Sequence, residues 1–290
     1  MEDHEPYVPF SQRSGLVPAP PQLKLGEVSD ELRRLLDYNI NLEIERESDV
    51  GMYSTIFSVR WRRVSKDLHV EFFGQRASTY KDDPETVRRN LEGFVETADI
   101  GRLFDLVEFL VRHPGSSGEF MREVSASFVK ARSAYRLVDG MIVAIGTEQQ
   151  GTAFETAIAA AKSAGENAAR KHLVGAGSHL RNGDWSGSIR ESIHAVEAMA
   201  LKLSPGTKSL GPALAELEKA GHIHKALKTA FGSLYGFTSD QEGVRHALVF
   251  EDEANVDEAD AMFMLGACAS FVSYLIQRTT QLPVNEERRS

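Results

Sequence analysis

The chain has 290 residues, of which 42% are hydrophobic and 26% charged. This is the composition of a globular protein long enough for two domains of ordinary size. The net charge of −9 argues against a broad surface for non-specific nucleic-acid binding. The single cysteine, Cys268, lies in an apolar run and is expected to be buried.

Two further patterns bear on where the protein acts. The N-terminal residues lack the basic and then apolar pattern of a signal peptide. The longest apolar stretch, Ala261–Ile276, is slightly short for a membrane span. We therefore expect a cytoplasmic protein without a membrane partner.

The first half of the chain is predicted to be an arm followed by a helical domain. Residues 1–28 form a proline-rich extended arm, in which Phe10, Leu16 and Val17 are expected to pack against the body of the protein. The domain spans residues 29–148. Its predicted helices, from apolar spacing and capping residues, lie at 29–45, 53–64, 83–98, 99–113 and 119–131. YRLVDGMIVAI, residues 135–145, predicts a β-hairpin around Asp139-Gly140.

The second half is predicted to be an up-and-down helical bundle over residues 149–282, with a polar tail at 283–290. One long helix is expected over Thr152–Leu180, bent near Gly175 and Gly177, and a tight turn at 182–184 leads into the next helix. The remaining predicted helices are Trp185–Leu203, Leu210–Ala220, Ile223–Gly236 and Asp257–Gln281. The predicted fold class is thus mainly α, with one small hairpin.

The strongest candidate for chemistry is the adjacent pair Arg245–His246. Arginine offers a fixed fork of donors to phosphate oxygens, and histidine carries a proton near neutral pH, so the pair suits phosphodiester chemistry. The alternative is that the pair has no chemical function and is simply an arginine at a helix start followed by a surface histidine. Asp240 and Glu242, in the preceding loop, are candidates to orient Arg245.

The predicted helix 185–203 carries the supporting candidates. Glu197 lies among apolar residues, and Arg245 would be a suitable partner for a buried carboxylate; a half-solvated position at the edge of the face is the alternative. Arg190 and His194 are spaced to form a second phosphate-facing pair or a solvated flank. Glu191, beside Arg190, is grouped with them.

No metal site and no cofactor are predicted. His222 and His224 lack an obvious third ligand at short spacing. Arg170, Lys171 and His172 fit a solvated helix face. The sequence contains no phosphate-binding loop, dinucleotide-binding turn, paired-cysteine zinc motif or nucleophile elbow.

The two halves of the chain each resemble a known domain of bacterial abortive-infection proteins. GDWSGSIRESIHAVEAMALKL, followed by KSLGPALAELEKAGHIHKALKTAFGSLYGFTSDQEGVRHAL, resembles their HEPN-like C-terminal domain. FSQRSGLVPAPPQLKLGEVSDELRRLL and YRLVDGMIVAIGTEQQ look like the two ends of an AbiJ-type N-terminal domain. The resemblance implies an anti-phage protein that forms a homodimer through its C-terminal bundle, answers to a phage or host trigger, and cuts RNA without metal at an Arg/His site in the dimer cleft.

The sequence departs from the motif that this resemblance implies. In HEPN ribonucleases a histidine follows the motif arginine a few residues later, whereas here His246 follows Arg245 at once and no histidine occurs through Glu251. The catalytic residues implied are Arg245 and His246, with Glu197 orienting the arginine. Either His246 performs the proton transfer, or the domain is a non-catalytic module that binds RNA, a nucleotide or a protein.

Overall fold

The computed structural model describes residues 10–18, 21–50, 55–145, 147–240 and 256–280. Within these ranges the protein is mainly α-helical, as the sequence predicts. The chain divides into two compact units, Met1–Ile142 and Val143–Ser290. The sequence places its domain boundary a few residues later, after residue 148.

The N-terminal unit contains most of the short elements. Its helices are α1 Phe10–Arg13, α2 Asp30–Arg46, α3 Val59–Asp67, α4 Pro84–Thr97, α5 Ile100–Arg112 and α6 Gly118–Lys130. Its strands are β1 Ser48–Val50, β2 Thr55–Phe57 and β3 Tyr135–Val138. Strand β4, Met141–Ala144, pairs with β3 and contains the point at which the chain divides into the two units. A π-helical turn over Leu68–Phe72 follows α3, and a short 3₁₀ turn covers Ala77–Thr79.

Capping residues set most of these helix starts. Ser29 accepts a hydrogen bond from the Leu32 N–H at the start of α2, and Asp83 and Asp99 do the same for α4 and α5. Each bond satisfies one of the unpaired amides of a first helical turn. These three starts agree with the sequence prediction.

Polar side chains hold the N-terminal helices in place from inside the core. Glu43 on α2 is fully buried and accepts hydrogen bonds from the Ser117 N–H at 2.8 Å and the Ser117 hydroxyl at 2.7 Å. Ser117 is in turn the cap of α6. Nearby, the Asn39 amide donates to the Ser127 hydroxyl at 2.7 Å. These bonds fix α2 against α6.

The hairpin forms as predicted, through β3 and β4. Asp139 and Gly140 both have positive φ, at 52° and 75°, which is the backbone that a tight two-residue hairpin turn requires. Glycine tolerates this conformation without strain, and aspartate is among the residues that tolerate it best.

Two predictions for the N-terminal unit are wrong. Residues 55–57 are not helical: β2 pairs antiparallel with β1, because the β-branched Thr55 and Ile56 favour a strand and Ser58 delays the helix start to Val59. In the arm, Phe10, Leu16 and Val17 are exposed rather than packed, and α1 interrupts the extended backbone.

The C-terminal unit is a helical bundle. Its helices are α7 Glu148–Ser163, α8 Asn167–Arg181, α9 Trp185–Leu203, α10 Leu210–Lys219, α11 Lys225–Asp240 and α12 Glu258–Thr280. Helices α7, α8, α9 and α12 pack against one another, and α10 packs on α9. The rings of Phe231 on α11 and Phe271 on α12 are stacked, with centroids 3.4 Å apart.

The single long helix predicted over Thr152–Leu180 is in fact two helices. Gly165, with φ of 73°, follows the last turn of α7 and ends it, because a left-handed residue terminates an α-helix and glycine adopts that backbone without strain. Gly175 and Gly177, where a bend was expected, lie inside α8 instead.

Helix α12 contains Cys268 and is the one described helix long and apolar enough to cross a membrane. More than half of its apolar window is buried inside the protein, as in the core helix of a soluble bundle. Burial raises the pKa of the Cys268 thiol to about 12, so the thiol stays protonated at neutral pH.

Candidate functional site

The predicted catalytic pair lies outside the described residues. Helix α11 ends at Asp240, and the description resumes at residue 256. Arg245, His246 and Glu242 fall in this gap, and the side chain of Asp240 is likewise outside the described part. Their proposed roles stay predictions.

Glu197 is half-buried on α9 and has a structural partner. Its Oε1 accepts a hydrogen bond from the Leu210 N–H at 3.1 Å, at the first residue of α10. The side chain of Ser209, which precedes that helix, makes no capping bond, so Glu197 supplies the acceptor. A carboxylate is favoured there because the partial charge of a helix N-terminus is positive.

The other predicted residues of α9 lie along its seam with α8. The turn between these helices contains Gly183, whose φ is 75°, and ends at Asp184, the N-cap of α9. Three pairs of positions face each other across the seam, 172 with 194, 175 with 191 and 179 with 187. In each pair the two positions are equally far along the chain from Gly183. The turn at Gly183 therefore sets the register of the two helices.

Asp184 ties the turn to both helices. It accepts hydrogen bonds from the Gly187 N–H at 2.8 Å and from His179, whose Nδ1 lies 2.7 Å away. Burial alone raises the pKa of Asp184, but the hydrogen bonds from Gly187 and His179 outweigh it and hold the pKa below its usual value. The charged carboxylate is therefore the form that this turn stabilises.

Midway along the seam, His172 of α8 meets Glu191 and His194 of α9. The His172 Nδ1 lies 2.8 Å from the Glu191 Oε2, within hydrogen-bond distance, and the His194 Nδ1 lies 3.7 Å from the Glu191 Oε1. The two imidazole rings contact edge to face, with centroids 5.4 Å apart. We call these three residues the His–Glu–His cluster.

The cluster is partly open to solvent. The side chains of His172, Glu191 and His194 are 35%, 24% and 40% exposed. Gly175, one turn after His172, makes room for the carboxylate, since a Cβ at that position would lie 3.2 Å from the Glu191 Oε2. An imidazole oriented by a carboxylate can transfer protons, and the same atoms can bind a metal ion.

The structure therefore joins some of the predicted site residues and separates others. Glu191 and His194 share one cluster, Arg190 is half-buried beside them, and Glu197 is engaged by α10. His172 was missed, because its sequence neighbours Arg170 and Lys171 suggested a solvated face. Two signals together could have found it: the Glu-x-x-His spacing of residues 191–194, and the fact that His172 and His194 are equally far along the chain from the turn at Gly183.

The N-terminal unit also contains a cavity, of about 230 Å³, with polar groups in its wall. The Tyr80 hydroxyl lies 2.7 Å from the Ser65 hydroxyl, and the His69 Nε2 lies 3.0 Å from the Thr79 hydroxyl. Burial raises the pKa of Tyr80. These polar groups are hydrogen-bonded to one another, so we assign them a structural role in the cavity wall.

Comparison with known proteins identifies the N-terminal part of the chain. Residues 9–160 match AbiJ N-terminal domain 4, a domain that indicates abortive-infection defence. The matched segment covers the whole described N-terminal unit and most of α7. Comparison with curated proteins and with solved structures finds no match. Because the matched segment spans more than half of the sequence, the chain belongs to the family of AbiJ N-terminal domain 4.

Proposed function

We propose that the protein is an abortive-infection effector whose C-terminal bundle cuts RNA without a metal ion. The match of residues 9–160 to AbiJ N-terminal domain 4 carries the proposal, because it indicates a defence protein. The bundle that follows is a separate compact unit, as an effector joined to a regulatory domain would require. Its sequence resembles the HEPN-like domains of abortive-infection proteins.

In this proposal Arg245 and His246 carry the chemistry. Arg245 binds the scissile phosphate and stabilises the charge that develops on its oxygens. His246 removes the proton from the ribose 2′-hydroxyl or donates one to the leaving oxygen. Adjacent residues of a helix point about 100° apart, so both reach one phosphate only at a helix end or across a dimer axis.

A homodimer formed through the bundle, as the HEPN-like resemblance implies, is the second of these two arrangements. It would place one Arg245–His246 pair from each subunit at a shared cleft. Arg190, Glu191 and His194 are proposed to support RNA binding from α9. Asp240 and Glu242 are proposed to orient Arg245.

One observation favours a second candidate, a non-catalytic module that binds RNA, a nucleotide or a protein. Glu197, expected to orient Arg245, accepts a hydrogen bond through its Oε1 from the backbone of α10. A carboxylate used to build the fold is less available for a catalytic arginine. In this candidate Arg245 and His246 belong to the fold or to a binding surface.

The test is cleavage of total RNA and tRNA by the purified full-length protein in EDTA. We expect cleavage that Arg245→Ala and His246→Ala abolish, while Arg89→Ala, which alters an arginine with a 73% exposed side chain, cleaves normally. A second assay applies if the purified protein is inactive: expression of the wild type should arrest growth, and expression of Arg245→Ala should not. Absence of both cleavage and Arg245-dependent arrest would overturn the catalytic proposal in favour of the binding module.

A further inference from the structure

We propose that His172, Glu191 and His194 form a binding site for one divalent transition-metal cation, with Zn²⁺ the best match to the ligands. Glu191 and His194 are also proposed above to support RNA binding, but the metal site itself does not depend on the Arg245–His246 chemistry. The argument rests on the identity of the three ligands, the spacing of their atoms, and the rigidity of the helices that carry them.

The ligand set is selective for borderline cations. Two imidazole nitrogens and one carboxylate oxygen bind Zn²⁺ and its neighbours in the transition series, whereas Mg²⁺ and Ca²⁺ prefer sites made of oxygen ligands. Three protein ligands leave one tetrahedral position for water. The partial exposure of all three side chains is compatible with a water ligand.

The spacing of the atoms also fits. One ligand atom from each of the three side chains can be chosen so that all lie within 4.8 Å of one another. Ligands about 2.0–2.1 Å from a tetrahedral Zn²⁺ lie about 3.4 Å apart. The Glu191 Oε2 lies 2.8 Å from the His172 Nδ1, and the other carboxylate oxygen, Oε1, lies 3.7 Å from the His194 Nδ1, so the two separations lie on either side of that value. Side-chain rotations that draw the three groups in from their spacing of up to 4.8 Å would bring one atom of each to a common cation.

The position of His194 points to a ligand more directly than the His172–Glu191 pair does. A hydrogen bond explains why His172 lies against Glu191. His194, at 3.7 Å, is too far from the carboxylate for such a bond, although its ring lies edge to face against that of His172. A cation between the carboxylate and both imidazoles would give all three groups a common partner.

The scaffold holds these side chains in place before any ion arrives. Glu191 and His194 are one helical turn apart on α9, and His172 lies opposite them on α8. The turn at Gly183 fixes the register, and Gly175 leaves the space that the carboxylate occupies. Ligands carried by two packed helices lose little conformational entropy on binding.

The test is titration of the full-length protein, stripped with EDTA and then freed of chelator. Isothermal titration with Zn²⁺ gives the number of ions bound and their affinity, and Co²⁺ absorption reports the coordination geometry. We expect one ion per chain, and at least about a tenfold loss of affinity in His172→Ala, Glu191→Gln and His194→Ala. Zn²⁺ should also raise the melting temperature of the wild type but not of these variants.

His224→Ala is the matched control, because His224 is an exposed histidine of the same unit outside the cluster. Melting in EDTA checks that each variant is folded, and His172→Gln replaces His172→Ala if the latter unfolds. The proposal is overturned if no saturable binding occurs, or if binding persists at wild-type affinity in the cluster variants, whatever the result for His224→Ala. RNA takes no part in this titration, so its result is distinguishable from failure of the proposed nuclease.

Discussion

The two compact units hold their helices together in different ways. In the N-terminal unit, polar side chains connect elements far apart in sequence: Glu43 of α2 binds Ser117 at the start of α6, and Arg33 donates to the carbonyl oxygens of Val95 and Ala98 at the end of α4. In the C-terminal unit, polar contacts such as that between His172 and Glu191 are joined by close approach at helical glycines. A Cβ on Gly177 of α8 would lie 2.6 Å from that of Val143.

This difference predicts opposite weaknesses. A unit fastened by buried hydrogen bonds is damaged by removing atoms, because the partners that remain are left unsatisfied. A unit whose elements approach closely at glycines, as α8 does to Val143 of β4, is damaged by adding atoms, because a packed core has no room for them. Three measurements test this contrast between the units.

The largest effect is expected from Glu43→Ala. The substitution removes the buried acceptor of both Ser117 hydrogen bonds and should lower the free energy of unfolding by about 3 kcal/mol. Glu45→Ala, two positions along the same helix, is the control: the Glu45 side chain is 59% exposed in an ion pair with Arg88 and should contribute less than about 1 kcal/mol. Urea unfolding of the full chain, with hydrogen exchange of peptides from α2 and α6, measures both; equal losses would contradict the assigned role of Glu43.

An intermediate effect is expected from Gly177→Ala. The added methyl group meets Val143 and should destabilise the C-terminal unit by about 2 kcal/mol. Gly232→Ala is the matched control, because that glycine is also helical but has open space around it; it should stabilise the protein by about 0.5–1 kcal/mol. The labelling rate of the Cys268 thiol reports opening of the bundle, since this thiol is buried and protonated in the folded state. Faster labelling is expected in Gly177→Ala alone, and faster labelling in both variants would show that space around the glycine does not matter.

The smallest effect concerns Asp184. Its pKa is lower in the folded protein than in the unfolded chain, so its charge stabilises the fold above the ordinary aspartate pKa of about 3.9, and this contribution is lost as the pH falls through the lower folded value. Because the Asp184 side chain is 44% exposed, solvent screens its charge, so Asp184→Asn should cost only about 0.5 kcal/mol at neutral pH, and the stabilities of the two proteins should converge on acidification. Melting temperatures measured from about pH 7 down to about pH 3 test this, and a difference that stays constant would show that the charge of Asp184 is not responsible.

Local signals explain which parts of the fold were predictable from the sequence. Ser29, Asp83 and Asp99 cap helices whose apolar spacing is regular, and Asp139-Gly140 specifies its hairpin without help from the rest of the chain. One error occurred where the outcome depends on a partner, because the strand at 55–57 needs residues 48–50 beside it. Another was a local balance, because the helix break at Gly165 competes with strong helix formers on both sides.

The candidate site was harder to predict for the same reason. Glu191 and His194 were identified from one helix, but His172 joins them only through the register of α8 against α9, which no single-helix pattern contains. For Glu197 the sequence left two interpretations open, a buried carboxylate in need of a partner and a half-solvated residue at the edge of the face, and the structure shows a half-buried carboxylate with a backbone partner. The partner found, the backbone of α10, could not be distinguished in sequence from an arginine further along the chain.

The turn at Gly183 also limits how this chain can vary in length. One residue inserted there would shift the centre of all three facing pairs and turn α9 by about 100° relative to α8. His194 would leave His172, and Glu191 would leave the gap beside Gly175. A four-residue insertion adds close to a full helical turn and would restore the facing direction, but about 6 Å further along the axis. Related chains that retain the His–Glu–His cluster should therefore keep the length of this loop even where they change its sequence.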